Sequence, residues 1–287
     1  MMAYSETPIQ EIHDSLLTKA GVRLLIKRED LNHPFISGNK WWKLKHNLEE
    51  AIHRGNETLL TYGGAFSNHI VATAAAAAEI GLKSVGIIRG EETLPVNPVL
   101  SFASKQGMQL YYISRDAYRQ KSLEDSYLKK FENFYFIPEG GSNRLAVKGV
   151  IEFAKKLTAD YDYVCCAVGT GGTLAGLIEG TDANKTIIGF PVLKDATYLV
   201  NEIKALSEKS RDSSNWKLIY NYHFGGYAKK NSQLLQFIEK FKMNHNIPLE
   251  FVYTGKMMVG IFDLVNKGYF PRGSLILAIH SGGLSIH

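Results

Sequence analysis

Tyr163-Val164-Cys165-Cys166-Ala167-Val168-Gly169-Thr170-Gly171-Gly172-Thr173-Leu174-Ala175-Gly176 opens as an apolar run, turns through glycines and enters a helical pattern. A short apolar run bounded by glycine reads as a strand buried on both faces. The loop after it suits an anion. Its glycines let backbone N–H groups approach closely, the helix N-terminus adds partial positive charge, and Thr170 and Thr173 add hydroxyls. A monophosphate is the natural guest; a tight strand-to-helix turn with no ligand is the plain alternative. The dinucleotide fingerprint fails, because its third glycine would fall at Leu174. Gly255-Lys256 is followed by Met257, so that pair is no P-loop.

Outward from this unit, short β-like runs alternate with helical patterns, which signals a parallel α/β architecture. The pattern predicts strands at 58–62, 84–88, 110–113, 163–168, 186–190, 218–222 and 275–279. It predicts helices at 42–54, 68–80, 98–106, 146–157, 173–180, 232–241 and 257–267. The polar stretch 207–215 reads as an exposed loop. Glycine loops recur after strands, at Gly63-Gly64, Gly140-Gly141, 169–173 and Gly282-Gly283. Ligands in open α/β sheets bind outside the carboxyl ends of strands, so these loops are expected around one crevice.

Four further segments carry polar side chains at such places. Ser37-Gly38-Asn39-Lys40 puts a lysine at the start of an apolar helix, where an amine can be aimed and partly desolvated to act as a nucleophile. Ser67-Asn68-His69 opens an alanine-rich helix. It supplies an N-cap and, equally, a place for a carboxylate at the positive end of the helix dipole. Tyr253-Thr254-Gly255-Lys256 and His280-Ser281-Gly282-Gly283 follow β-like runs. There Tyr253 is a core aromatic or a site residue, and Lys256 reads as a solvated surface lysine.

Composition narrows the rest. The 287-residue chain is 45% hydrophobic and 21% charged, with formal net charge +5. Lys and Arg are spread over its length, which speaks against nucleic acid. Cys165 and Cys166 are neighbours in a strand and face opposite ways, giving neither a disulfide framework nor a metal spacing. A reducing cytoplasm is the default, residues 1–14 read as no signal peptide, and no apolar run spans a membrane.

In one order, Lys40 after Ser-Gly-Asn, Ser67-Asn68-His69, Gly169 to Thr173, Tyr253-Thr254-Gly255-Lys256 and His280-Ser281-Gly282-Gly283 resemble a single family from about residue 22 to the chain end. It comprises the 1-aminocyclopropane-1-carboxylate deaminases and D-cysteine desulfhydrases, pyridoxal-phosphate enzymes of the tryptophan synthase β-subunit fold. The resemblance implies two open twisted, mostly parallel sheets flanked by helices. A smaller α/β domain, residues 44–143, would be inserted into a larger cofactor-binding domain, residues 1–43 and 144–287. It also implies pyridoxal 5'-phosphate, a small amino-acid substrate and a homodimer.

Position by position, the resemblance makes Lys40 the lysine that carries the cofactor and Lys43 a lysine near its phosphate. Gly169, Thr170, Gly171, Gly172 and Thr173 become the phosphate cup. Asn68 lies near the cofactor's 3-hydroxyl, and Ser67, Asn68 and His69 receive the substrate carboxylate. Tyr253 and Tyr227 are active-site tyrosines, and with Lys40 and Ser67 they form the catalytic set. Trp42 stands where an arginine is usual, and Ala228-Lys229-Lys230 replaces the usual Gly-Val-Pro. Thr254 and Ser281, both cofactor-facing, stand where the deaminases carry Glu and Leu, and so resemble the desulfhydrase branch. A carboxylate beside the pyridine nitrogen deepens the electron sink. Loss of sulfide needs that sink less than cyclopropane opening does. The expectation is a D-cysteine desulfhydrase-like lyase releasing keto acid, ammonia and sulfide. The alternatives are a cyclopropane deaminase, a non-catalytic binder of the cofactor or another phosphate ligand, and an α/β protein with no cofactor.

Overall fold

The structure, a computed structural model, describes residues 2–120, 131 and 133–284. Its first strands are β1 (Ile9–Ile12), β2 (Arg23–Lys27), β3 (Thr58–Gly64), β4 (Lys83–Arg89) and β5 (Met108–Ile113). Then come β6 (Phe134–Ile137), β7 (Tyr163–Val168), β8 (Thr186–Pro191), β9 (Trp216–Leu218) and β10 (Leu275–Ile279). They form a six-stranded sheet, β1-β2-β10-β7-β8-β9, and a four-stranded sheet, β5-β4-β3-β6. Every ladder is parallel except β1 against β2. The strands of the smaller sheet lie between residues 58 and 137, and those of the larger sheet lie on both sides of that stretch.

The helices are α1 (Ser15–Ala20), α2 (Asn39–His53), α3 (Asn68–Ile80), α4 (Pro98–Lys105), α5 (Arg115–Gln120) and α6 (Arg144–Lys155). They continue with α7 (Gly172–Gly180), α8 (Leu199–Leu206), α9 (Lys209–Asp212), α10 (Ser232–His245) and α11 (Thr254–Asn266). Among the described residues, no helix is long and apolar enough to cross a membrane.

The central strand β7 shows why the sheet is covered on both faces. Val164, Cys166 and Val168 pack into one core with Ile187, Leu277 and Ile279. Cys165 and Ala167 face the opposite core with Ile188, Phe190 and Ile276. Each aliphatic side chain buried this way contributes about 1.5–3 kcal/mol. The two cysteines serve the same packing. Burial raises both thiols, Cys166 to about 12, so neither is a reactive thiolate.

Trp42 is one of these packing residues. It is buried, and its Nε1–H donates to Glu29 Oε2 at 2.6 Å. Glu29 is itself buried and also accepts from the Thr7 hydroxyl and the Asn32 amide. The indole thus fills the core and donates to a buried carboxylate.

Several elements depart from the pattern-based expectation. β1, β2, β6 and the short helices α1, α5, α8 and α9 carry too few periods to stand out. The expected strand 218–222 is instead β9 followed by a tight turn at Tyr220–Tyr222. There the Tyr222 hydroxyl reaches Asp263 at 2.6 Å. The stretch 207–215 is not a free loop. Ser207 and Ser210 are buried, and Glu179 accepts from the Ser207 hydroxyl and the Lys209 N–H, both at 2.9 Å. Its polar groups are taken up by Glu179 of α7 and by the Ser207–Ser210 pair.

Helices α2 and α6 cross where Gly149 meets the Trp42 carbonyl. A Cβ on Gly149 would lie 1.9 Å from that oxygen. Alanine in a helix normally gains about 1 kcal/mol over glycine. Here overpacking against fixed backbone opposes it by about 1–3 kcal/mol and wins. Gly149→Ala is expected to lower the urea midpoint with an unchanged slope. A midpoint equal to or above the parent's would show slack at this crossing.

Candidate active site

The carboxyl ends of β3, β6, β7 and β10 open onto one cleft. Lys40, Lys43, Ser67, Asn68, His69, Gly169 to Thr173, Tyr253 and Ser281 all line it. Thr254 and Tyr227 do not. Thr254 is buried with its hydroxyl on Glu250, and Tyr227 packs edge-on against Tyr253.

The start of α2 aims Lys40. Gly38 has φ +70, and a Cβ there would lie 1.9 Å from the Ser281 carbonyl oxygen, so only glycine fits. Asn39 N–H donates to the same carbonyl at 3.3 Å, and Gly38 N–H donates to Asn32 Oδ1 at 2.8 Å. Lys40 Nζ then donates to Asn39 Oδ1 at 3.1 Å, while Asn39 Nδ2 donates to Thr173 Oγ1 at 2.7 Å. Burial lowers the Lys40 ammonium to about 8, and the Glu250 carboxylate pulls it partly back. About a tenth of these amines are free at pH 7, against fewer than about one in a thousand for an ordinary lysine.

The glycine loop forms a cup at the N-terminus of α7. Gly171 caps the helix with φ +83 and no side chain satisfies its first turn. Lys43 sits over that turn, 3.3 Å from where a Cβ on Gly172 would be. It is buried, with two neutral acceptors, the Ser142 hydroxyl at 2.8 Å and the Gly140 carbonyl. Burial first, and the nearby Lys40 second, hold its pKa well below that of an ordinary lysine. A buried amine with neutral partners beside an uncapped helix end is a site short of an anion.

At α3, Ser67 Oγ accepts from His69 N–H at 3.3 Å and caps the helix. The His69 ring turns inward. Thr61 Oγ1 donates to the Ile137 carbonyl and so accepts from His69 Nε2–H, both at 2.8 Å. This leaves Nδ1 bare, buried and without a partner among the described residues. Burial, Lys40 and Lys43 keep the ring neutral, with a pKa well below the usual value. Its side chain is an acceptor, so a carboxylate in this loop is left to Ser67, Asn68 and backbone N–H groups.

The far wall rests on Glu250, a buried residue the motifs did not single out. Its carboxylate accepts from the N–H groups of Val252, Tyr253 and Thr254 at 2.6, 2.7 and 2.5 Å, and from the Thr254 hydroxyl at 3.1 Å. Burial raises its pKa and these bonds oppose the rise. No local signal marks it: a cap is sought directly before the helix, as Ser, Thr, Asp or Asn, and that place is held by Tyr253. Tyr253 lies over the glycine loop, its ring 3.2 Å from a Cβ position on Gly169. Tyr227 meets it edge-on with ring centroids 6.0 Å apart. Burial raises both phenols, so both are protonated donors at neutral pH. Lys256 is not the solvated lysine expected: it is 1% exposed and bonded to backbone carbonyls. Ser142 and Gly140 also belong to the cup, although Ser142 stood in no motif.

The profile of the pyridoxal-phosphate dependent enzymes matches residues 1–282. The chain is 35% identical to a Pyrococcus abyssi protein named "Putative 1-aminocyclopropane-1-carboxylate deaminase", over 97% of this chain and 89% of the relative. It is 30% identical to the mitochondrial bifunctional D-cysteine desulfhydrase/1-aminocyclopropane-1-carboxylate deaminase of Arabidopsis thaliana, over 99% of this chain and 77% of that one. Among solved structures, an ACC deaminase homologue superposes with TM-score 0.86 at 28% identity, covering 99% of this chain and 91% of the other.

The cleft fits pyridoxal phosphate on its own geometry. The uncapped α7 turn and the buried Lys43 lack the dianion that the phosphate supplies, and Lys40 offers a partly desolvated amine to the aldehyde.

Two measurements follow. Reductive methylation of the apoprotein is expected to give Lys40 a midpoint near pH 8, reactivity rising with pH as the ammonium is lost. A midpoint at the ordinary lysine value would contradict the desolvated setting. Inorganic phosphate should stabilise the apoprotein, by about 2.7 kcal/mol at a hundredfold excess over Kd. Lys43→Met should abolish that shift; a retained shift would move the anion site elsewhere.

Proposed function

This chain belongs to the pyridoxal-phosphate-dependent enzymes, and on that premise we propose that it is a lyase for a small amino acid. Its reaction is D-cysteine-type β-elimination, releasing keto acid, ammonia and sulfide. One observation carries the choice. Behind Tyr253 stands Thr254, uncharged, its hydroxyl held by Glu250, and the Glu250 carboxylate is itself committed to three N–H groups of the α11 start. A site without a free carboxylate there suits departure of a stable leaving group better than opening of a carbon ring. The second reading is that ring-opening, and the name of the Pyrococcus relative favours it.

The cofactor, when bound, supplies an electron sink conjugated to the substrate Cα. The residues do the rest. Lys43, Thr170, Thr173 and the N–H groups of Gly171 and Gly172 hold the phosphate. Ser67, Asn68 and the α3 N-terminus bind and orient the substrate carboxylate. Lys40 Nζ, free as an amine, takes the Cα proton. Tyr253, protonated, is placed to give its proton to the departing sulfur, and Tyr227 supports it from the ring edge. Ser281 closes the cleft on the side facing Lys40. The same reading takes residues 44–143 as the smaller domain, supported by the sequence span of the four-stranded sheet.

Borohydride reduction of the holoprotein followed by peptide mapping tests the lysine: phosphopyridoxyl on Lys40 is expected, and a label on Lys256 instead overturns the assignment. D-cysteine, L-cysteine and 1-aminocyclopropane-1-carboxylate are then compared for keto acid and sulfide. Sulfide and keto acid from D-cysteine support the elimination. Keto acid from the cyclopropane substrate alone transfers the assignment to the second reading, and no product from any removes both. Tyr253→Phe should lower kcat on D-cysteine by about 100-fold.

A further inference from the structure

Lys256 is the one charged residue of the Tyr253-Thr254-Gly255-Lys256 segment, and no step above uses it. It is buried to 1% exposure, and burial lowers its ammonium to about 8 against the pull of Glu250. Its Nζ donates to two backbone carbonyls, His223 at 2.8 Å and Gly226 at 2.7 Å. Both belong to the loop that carries Tyr227.

That loop needs a tether. Phe224 (φ 51), Gly225 (φ 91), Gly226 (φ 117) and Ala228 (φ 54) lie in the left-handed region, where Phe and Ala are strained. Its internal bonds are Gly225 N–H to His223 Nδ1 at 3.0 Å, Gly226 N–H to the His223 carbonyl at 3.0 Å, and Lys229 N–H to the Gly226 carbonyl at 3.1 Å. The two carbonyls that close those turns are the ones Lys256 grips.

The other end of the tether is tightly packed. Tyr253 caps α11 and Lys256 lies in its first turn. Between them, a Cβ on Gly255 would lie 2.6 Å from Ile238 Cδ1 and 2.8 Å from the Glu250 carbonyl oxygen, so that turn is pressed against α10. One helix start thus holds Tyr253 directly and Tyr227 through the lysine.

We propose that Lys256 is a positioning residue: its Nζ staples the 223–228 loop to the first turn of α11 and so sets Tyr227 against Tyr253 beside the cleft. The functional half of this rests on the reading of Tyr227 as supporting catalysis; the structural half does not.

The holoenzyme with Lys256→Met tests it. Hydrogen exchange of the 224–229 amides should rise at least tenfold, with the α11 amides and the cofactor absorption band unchanged. On D-cysteine, or on whichever substrate the protein turns over, kcat should fall with KM retained. Tyr227→Phe, which removes the hydroxyl that is hydrogen-bonded to Tyr253, should show the same fall, and the double variant no further loss, because both changes take that hydroxyl from Tyr253. Unchanged loop exchange overturns the staple. Multiplying losses in the double variant overturn its action through Tyr227. Full turnover by Tyr227→Phe rejects the role of that tyrosine and leaves the exchange result to decide the staple. Lys256→Gln, which keeps a polar tip too short to span both carbonyls, must show the same exchange rise, and it decides the matter if the methionine variant does not fold.

Discussion

The site depends on a backbone contact with no room for a side chain. Gly38 passes the Ser281 carbonyl so closely that a Cβ would overlap it. This joins the loop before α2 to the loop after β10, which are distant in sequence. It also points the first turn of α2 at the cup over α7, and the Asn39 amide completes the link to Thr173. Lys40 and Lys43, three residues apart on one helix face, then reach two parts of one cleft. A shift of this contact would move both amines together.

The second constraint is electrostatic. Two lysines and a neutral histidine are packed into one wall, and burial depresses the pKa of all three. The buried carboxylate nearby, Glu250, does not neutralise them through direct ion pairs; it binds the N–H groups of the α11 start. Such an arrangement costs folding energy and gives a preorganised charge deficit. A phosphate at the cup would correct the deficit at Lys43, and a depressed Lys40 keeps a usable fraction of free amine. The cleft that an anionic aldehyde fits is the cleft that burial of these amines creates.

Much of this was legible along the chain. The strand, glycine loop and helix at 163–180 are a local pattern, because alternating burial and a glycine turn need only neighbouring residues. The start of α3 at Asn68 and its end before Gly81 were equally local. Trp42 was visible only as a departure from a pattern, since its partner Glu29 lies in another element. Lys256 reads as solvated along the chain, but its surroundings are set by loop 223–228, thirty residues away. Nothing local marks Glu250, because its carboxylate has meaning only once the chain turns into α11.

By itself, then, the sequence determined the alternation of strands and helices, the glycine cup, and which lysines and tyrosines stand at loop ends. Those properties follow from periodicity and from backbone freedom within a few residues. The tertiary structure alone decided which amines lose their water, which way the His69 ring donates, and that Glu250 serves as a helix cap. Desolvation and hydrogen-bond partnership are properties of the surrounding volume, and segments from opposite ends of the chain fill that volume only when the two sheets and their loops close on one another.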